Sequence, residues 1–319
     1  MAGQGTRITA SDFNAIQSLI GNVLGTGSGT YGYGQTVTSA QVSVGDKITA
    51  AGWNALYNDM IAARQHQTNQ NESGNIPTVT TSSLVTEAIR LAYFNYATTI
   101  HTSALTIAPS GQSTVYPYNV STRYTPWSNT TIIHNVTLSF ANSNYARYYF
   151  NSGGTIQFLA SLTGFSGSDN STALDTDWSR LLAAMGTISM NYNSTSQVAG
   201  SATYPSPGSN PTGSPALSVG FYQLTTSPQV IFTKTASSYS GNQYQIFANV
   251  NANSNPNIIT FQIKFEDLSA GPGGYIYEPV EGTLASTVQG TYASGPNVSV
   301  SSSNSAGLSY IPSVTSSGP

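Results

Sequence analysis

Residues 130–140 read Thr-Thr-Ile-Ile-His-Asn-Val-Thr-Leu-Ser-Phe, and this stretch decides the fold class. Every second residue from Ile132 to Phe140 is apolar or an imidazole, and from His134 onward the polar residues Asn135, Thr137 and Ser139 stand between them. Successive side chains of a β-strand point to opposite faces, so a period of two predicts a strand with one buried face.

Further short stretches with strand character follow, with one helix among them. We expect strands over 145–150, 155–160, 188–192, 219–224, 230–235, 244–250 and 258–265. Residues 151–154 (Asn-Ser-Gly-Gly) are typical of a hairpin turn between the first two. A helix is expected to begin at Asp175 or Thr176, to bury one face from Trp178 to Met185, and to end at Gly186. The pattern predicts a mainly β protein, an antiparallel β-sandwich preceded by a small N-terminal helical segment.

That helical segment contains an internal repeat. Residues 7–16 read Arg-Ile-Thr-Ala-Ser-Asp-Phe-Asn-Ala-Ile, and residues 47–56 read Lys-Ile-Thr-Ala-Ala-Gly-Trp-Asn-Ala-Leu. Thr9 and Thr49 stand where an N-cap would begin a helix, and Asp12 completes a capping box in the first copy. We expect two short helices joined by a flexible, glycine-rich connection.

Each of these helices has one apolar stripe, and two short helices with a glycine-rich tie would form a poor core alone. We therefore expect the stripes to pack on each other and against neighbouring subunits. This hypothesis assigns an assembly interface to six residues: Phe13, Ile16, Ile20, Trp53, Leu56 and Met60.

The remaining segments complete a four-part organisation. A third helix is expected over about 83–98, capped by Ser82 or Ser83, with a stripe that includes Leu84, Ala88 and Leu91. We expect the Ser/Gly-rich C-terminus to be ordered only where another chain holds it. The predicted parts are a helical repeat and docking segment (1–68), a linker with the third helix (69–110), the β-sandwich (111–285) and the tail (286–319). The polar run 65–71 is expected to belong to the linker.

Charged residues make up only 7% of the 319 residues, whereas ordinary soluble domains contain about 25%. The formal net charge of −3 argues against a protein that binds nucleic acid by neutralising phosphates. No stretch approaches the ~18 apolar residues of a membrane span, and no apolar signal region follows Met1. We expect synthesis in a cytoplasm and a surface of neutral side chains that other protein covers.

Candidates for chemistry are few. The chain has no Cys, which excludes thiolate sites, and His66, His101 and His134 lack metal-ligand spacing. His134 is expected to be a hydrogen-bonded core residue. The carboxylates have structural explanations: Asp175 and Asp177 suit a helix start, and the pair at 266–267 suits a solvated turn. We expect no enzyme and no catalytic, cofactor-binding or metal-binding residues.

Aromatic residues are a better indication of function, since Tyr supplies contact area at low entropic cost. A subunit interface is the favoured interpretation, with sugar stacking as the alternative and core filling as the simplest role. The residues concerned are Tyr31, Tyr33, Tyr116, Tyr118, Tyr124, Trp127, Tyr145, Tyr148 and Tyr149.

Four sequence features resemble structural proteins in the virions of tailed bacteriophages, particularly those that infect cyanobacteria and other marine hosts. They are the Ile-Thr-Ala-x-x-Phe/Trp-Asn-Ala-Ile/Leu repeat, the connection at 25–35, residues 145–154 and residues 178–188. The resemblance is weak beyond about residue 200. It implies an oligomeric component of the tail, collar or fibre, and it carries over no active site.

We therefore expect a structural virion component that acts through subunit packing, made in the host cytoplasm and located in the virion. Its expected partners are copies of itself, with a trimer as one arrangement, and other virion proteins. The alternative function is an adhesin of the tail fibre that binds host-surface glycan through Tyr and Trp of the sandwich loops. A polysaccharide-cleaving enzyme comes third. No cofactor, nucleic acid or membrane span is expected.

Overall fold

The computed structural model describes residues 8–108, 113–165, 172–199, 218–236, 239, 241–268, 279–300 and 311–319. Its α-helices are α1 (Ala10–Leu24), α2 (Ala50–Thr68), α3 (Glu87–Thr102), α4 (Ser143–Asn151) and α5 (Thr172–Met185). Its strands are β1 (Ser113–Arg123), β2 (Thr130–Ser139), β3 (Thr155–Thr163), β4 (Thr187–Met190), β5 (Thr195–Ala199), β6 (Gln229–Thr235), β7 (Gln243–Val250), β8 (Ile258–Asp267), β9 (Thr283–Ala293) and β10 (Ser313–Ser317).

The chain forms two compact units, and neither is continuous in sequence. The helical unit consists of Met1–Thr114, Asn144–Gly154 and Tyr292–Ile311. The sandwich unit consists of Val115–Ser143, Thr155–Thr291 and Pro312–Pro319. This division differs from the four consecutive segments expected from the sequence, because two later pieces of chain return to the N-terminal helices.

The sandwich unit contains two antiparallel sheets, as the alternating pattern predicts. The strand orders are β1-β9-β3-β4-β5 and β10-β2-β8-β7-β6. The inner faces of the two sheets meet where Phe158 of β3 packs edge-on against Phe261 of β8, with ring centroids 4.9 Å apart. Both rings are fully buried, and burial of each contributes roughly 1.5–3 kcal/mol. The mainly β fold class is confirmed.

Helix α5 packs against β3 and β6, which belong to different sheets. The predicted face is buried: Trp178, Leu181, Leu182 and Met185 are each at most 1% exposed. Gly186 follows the helix with φ +61°, a left-handed conformation that favours glycine. The helix begins three residues before the predicted cap at Asp175.

Several strands of the structure were not predicted from the sequence, and two segments predicted as strands have a different secondary structure. β1, β5, β9 and β10 were not expected, and the latter two lie in or near the segment predicted as a tail. Residues 221–223 form a 3-10 turn within a predicted strand. Residues 145–150 lie in α4, so the predicted hairpin strand is wrong. Tertiary contacts override β-propensity there, because the helix buries Tyr148 in the core of the helical unit.

In the helical unit, the two repeat copies begin their helices in the same way. The Thr9 side chain accepts a hydrogen bond from the Asp12 amide, and the Asp12 carboxylate accepts from the Thr9 amide at 2.9 Å. Thr49 caps α2 by accepting from the amide of Gly52 at 3.1 Å. The predicted capping box is confirmed. The capping threonine of each helix therefore lies four residues before the aromatic residue of its repeat.

Those aromatic residues meet in the core of the helical unit. The rings of Phe13 and Trp53 lie edge-on with centroids 5.2 Å apart. The Tyr93 ring of α3 also lies edge-on to Trp53, with centroids 4.8 Å apart, and all three side chains are at most 1% exposed. The repeat thus places one aromatic ring from each helix at the same core position.

The connections between these helices are fixed by hydrogen bonds, whereas the sequence predicted a flexible, glycine-rich connection. The amides of Tyr33, Gly34 and Gln35 bond to carbonyls of residues 23–25 at 2.8–2.9 Å. Asp59 of α2 is buried and accepts from the amide and hydroxyl of Thr38 and from the amide of Ser39. Residues 36–38, which follow the glycine-rich connection, form no strand.

The polar run 65–71, expected to be a linker, begins as the last turn of α2. His66 and Gln67 are buried, and the Gln67 amide donates to the Ile100 carbonyl at 2.8 Å. Asn69 then ends the helix with φ +54°. Neutral polar side chains therefore anchor this helix end within the unit.

Two glycines of the 25–35 connection provide a matched test of its packing. A Cβ on Gly34, where φ is +71°, would lie 2.4 Å from the Tyr148 ring, whereas one on Gly29, at φ +58°, meets no atom within 4 Å. We expect Gly29→Ala to cost about 1 kcal/mol through backbone strain. Gly34→Ala should cost about 1–3 kcal/mol more, since it also overpacks the Tyr148 site. Urea denaturation of both variants measures the difference, and equal losses would contradict the packing role of Tyr148.

Candidate interaction surfaces

The six residues predicted to form an assembly interface lie in the helical unit's own core. Phe13, Ile16, Ile20, Leu56 and Met60 are 0% exposed, and Trp53 is 1% exposed. The stripes of α1 and α2 pack on each other and on α3, and α4 and residues 293–300 complete the core. The expectation that these stripes face neighbouring subunits is corrected, because the chain itself supplies the missing core residues from later segments.

Helix α3 instead presents an apolar stripe to solvent. The sequence pattern placed Leu84, Ala88 and Leu91 on an inward face of a helix capped at Ser82 or Ser83. The helix actually begins at Glu87 after the N-cap Thr86, and it buries Tyr93, Ala97 and Ile100.

The residues of the predicted stripe are therefore outside the core. Leu84 is 82% exposed, Leu91 is 37% exposed, and Ala88 is also exposed. Phe94, one turn after Leu91, is 36% exposed. We call Leu84, Ala88, Leu91 and Phe94 the outer stripe. Ala88, Leu91 and Phe94 follow one another at intervals of three residues in α3, so these three side chains lie on one side of the helix, and Leu84 stands in the segment before its N-cap.

The charges beside the outer stripe neutralise each other. The Arg90 guanidinium makes two 2.7 Å hydrogen bonds to the Glu87 carboxylate. This ion pair holds the pKa of Glu87 below its usual value. Another protein can therefore approach the stripe without meeting an unbalanced charge on these two residues.

An open cleft lies at the starts of α1 and α2, next to Leu84. Its volume is about 830 Å³, and its apolar lining includes Ile8, Ile48, Trp53 and Val85. Val44 on its rim is 98% exposed. The capped helix starts and the residues on either side of Leu84 thus frame one recess with apolar walls.

A second groove of the helical unit has a different chemistry. It has a volume of about 570 Å³ and is lined mainly by amide and hydroxyl side chains, including Gln17, Ser18, Asn22 and Gln41. His101 also lines it and lies within 3.3 Å of the Asn22 amide. We call this the amide groove.

The amide groove has an aromatic stack beside it. The Tyr31 ring lies on the His101 imidazole with centroids 4.3 Å apart and planes 22° apart. Neutral donors and acceptors next to a flat ring can bind the hydroxyl groups and apolar face of a sugar. No sequence pattern indicated this grouping, because the residues that line the amide groove come from three separate segments of the chain.

The aromatic residues proposed for an interface divide by burial. Tyr33, Tyr148, Tyr149 and Trp127 are at most 5% exposed and fill cores. Tyr124 is 74% exposed and Tyr116 is 43% exposed, and both belong to the sandwich unit. Tyr31 and Tyr145 are partly exposed, and the side chain of Tyr118 lies outside the described residues.

The sandwich unit buries one histidine with both ring nitrogens paired. His134 is fully buried, with Nδ1 2.9 Å from the Ser286 hydroxyl and Nε2 3.0 Å from the Asn119 amide oxygen. Nε2–H therefore donates to Asn119, and Nδ1 accepts from Ser286. Burial lowers the pKa of His134 to about 4. The prediction of a hydrogen-bonded core histidine is confirmed.

Asp267 is the carboxylate that the sequence analysis misplaced. It ends β8 and is 3% exposed, so the expected solvated turn is wrong at this position. Burial raises its pKa to about 6, opposed by the hydrogen bond that the Asn129 amide donates to its carboxylate. The alternating strand pattern continues to the end of β8 and places this side chain on the buried face.

The other carboxylates of this unit have structural roles. Asp175 lies in the first turn of α5, is fully buried, and accepts from the Glu281 amide at 2.7 Å. Asp177 is 8% exposed. Within the described ranges, His, Asp and Glu form no group of three that could hold a metal ion. Nor does any described helix have the length and apolar character needed to span a membrane.

His134 and Asp267 should give opposite pH dependences of stability over the same range. The histidine pKa falls from about 6.5 in the unfolded chain to about 4 in the folded chain, so its contribution is lost as pH falls through this window. The aspartate pKa rises from about 3.9 to about 6, so the cost of keeping it charged disappears as pH falls. The two effects partly cancel in the wild type.

We therefore expect His134→Gln to become more stable, relative to its value at pH 7, as pH falls from 6.5 to 4.5. Asp267→Asn should become less stable over the same interval. The free energy of unfolding from urea titrations at several pH values measures both slopes. Parallel slopes in the two variants would contradict the assignment, whatever their absolute stabilities.

Comparison of the chain with protein-family models, curated proteins and solved structures finds no match.

Proposed function

We propose that the chain is a structural component of a bacteriophage virion, in the tail, collar or fibre, and that it acts by packing against copies of itself. The observation that carries the proposal is the outer stripe: three exposed apolar side chains on one side of α3, with the exposed Leu84 just before the helix, in a chain in which only 7% of residues are charged. Exposed contiguous apolar surface is typical of protein–protein interaction sites.

A second copy is the occupant that fits this surface best. A helix side with apolar residues at i, i+3 and i+6 can pack against the same side of another molecule, which gives a symmetric, closed contact. The internal pair of Glu87 and Arg90 avoids like-charge repulsion between two such faces. The phage assignment is supported by the motif resemblance, and a non-enzymatic role is part of the same proposal.

Replacement of Leu84 and Leu91 by Asp should dissociate the oligomer, because each change puts a charge into the contact. Both side chains lie outside the core, so the helical content measured by circular dichroism should stay unchanged. The matched control is Leu84→Met with Leu91→Met, which keeps an apolar surface and should keep the oligomer. Light scattering after gel filtration gives the mass of each. A wild-type chain that is monomeric at 100 µM would refute self-association.

The proposed location of the chain in the virion requires a separate measurement. An antibody against the chain, applied to negatively stained particles released from lysed host cells, should label the tail, neck or fibre. Unlabelled particles alongside abundant soluble chain would contradict a virion component.

A host-glycan adhesin is the second candidate function, and the amide groove favours it. The groove combines amide and hydroxyl donors with the stacked rings of Tyr31 and His101, and it offers a sugar site in addition to the sandwich loops expected from the sequence. The groove is open and uncharged, which suits a neutral saccharide.

A glycan array carrying host polysaccharide tests this function. We expect His101→Ala to reduce any signal at least 10-fold, because it removes both a polar group and the surface that holds Tyr31. Asn58→Ala, on the exposed side of α2, is the control and should bind as the wild type does. Binding that survives His101→Ala would place the sugar elsewhere, and an array without signal would remove the adhesin proposal.

A further inference from the structure

The last strand of the chain covers the edge of a sheet that would otherwise be open. β10 pairs antiparallel with β2, in a register that matches Ser313 with Ser139 and Ser317 with Asn135. On its other side β2 pairs with β8. Without β10, the unpaired backbone groups of β2 would form an edge strand, which readily pairs with other chains.

Main-chain pairing, rather than side-chain burial, holds β10 in place. Four of its five residues are exposed and the fifth, Val314, is only half-buried. Three of the five are serines and one is threonine. The strand therefore adds little to the core of the sandwich unit and could pair equally well with any β2 of this sequence.

The length of the connection to β10 is compatible with pairing to the β2 strand of another copy. Residues 301–310 (Ser-Ser-Ser-Asn-Ser-Ala-Gly-Leu-Ser-Tyr) join Val300, in the helical unit, to the C-terminal strand. Ten residues in extended form span at most about 35 Å. The sequence of this connection is rich in Ser and contains no Pro.

We propose that β10 is exchanged between copies in the assembled protein, so that the C-terminal strand of one chain pairs with β2 of its neighbour. The inference rests on the self-association proposed above. A contact through the outer stripe would keep a neighbour's strand at high effective concentration. The exchanged pairing uses the same hydrogen bonds as the closed one, and so it links subunits at little cost in pairing.

The absence of Cys from the chain makes a direct test possible. Thr137 and Thr315 are register partners, and both side chains lie on the outer face of the sheet, away from the core. A Thr137→Cys chain and a Thr315→Cys chain are co-expressed, purified as the oligomer and treated with a short bis-maleimide. Exchange predicts a covalent species of twice the 33.4 kDa chain mass that contains one chain of each kind.

Controls separate the possible outcomes. Each single-Cys chain alone reports random crosslinking between copies. An Asn249→Cys/Thr260→Cys chain, whose partners lie in the β7–β8 hairpin, must crosslink within one molecule and reports that the sandwich has folded. A Thr137→Cys/Thr315→Cys chain should give linked multimers if strands are exchanged and only internally linked monomers if they are not.

Internally linked monomers within an intact oligomer would overturn strand exchange and leave self-association standing. A chain that is monomeric before crosslinking would refute both. Absence of any Thr137–Thr315 crosslink, with the hairpin control linked, would also overturn the inference, since β10 would then pair with neither its own β2 nor a neighbour's.

Discussion

The helical unit depends on the edge-on contact between Phe13 and Trp53. The repeat supplies one ring from α1 and one from α2, each four residues after a capping threonine, and Tyr93 of α3 completes the group. Aromatic pairs in this geometry contribute about 0.5–1.5 kcal/mol beyond the area they bury. Because the caps fix where each helix begins, the same contact sets the position of both helix starts and of the cleft between them.

This constraint explains why the interface lies elsewhere than the sequence indicated. Once α3, α4 and residues 293–300 cover the stripes of α1 and α2, no apolar side chain of those stripes remains for a partner. α3 can bury only one side, and because Tyr93, Ala97 and Ile100 are buried, Leu91 and Phe94 lie at the surface. The outer stripe is thus the part of the helical unit's apolar surface that its own chain leaves uncovered.

Local patterns predicted the elements whose signals were strong and independent of distant residues. The alternation from Ile132 to Phe140 identified β2 and the fold class, and the threonine caps identified α1 and α2. The signal for α4 was misleading, since consecutive aromatic residues at 148–150 have high β-propensity. Only the packing of Tyr148 under Gly34, more than a hundred residues away in sequence, makes the helix the better arrangement.

Strands with few buried side chains had no apolar pattern to reveal them. β10 consists almost entirely of Ser and Thr, and β1 contains Pro117 and several exposed residues, so neither alternates as β2 does. The amide groove was equally hidden, because Gln17, Gln41 and His101 converge only in the folded unit. Burial of Asp267 also depends on context, since it follows from the register of β8 and not from its charged neighbour Glu266.

The scarcity of charged residues is reflected in the hydrogen bonds that hold the loops of this chain in place. Neutral groups do most of that work: Asn14 exchanges hydrogen bonds with the backbone of Val42, and Gln17 and Gln67 donate to carbonyls. Such bonds lose less when water is excluded than exposed ion pairs do, because neutral groups cost less to desolvate than charges. A surface with these neutral side chains can be covered by another subunit without burying ionised groups that lack a partner. The same chemistry therefore serves the fold of the single chain and the assembly that we propose for it.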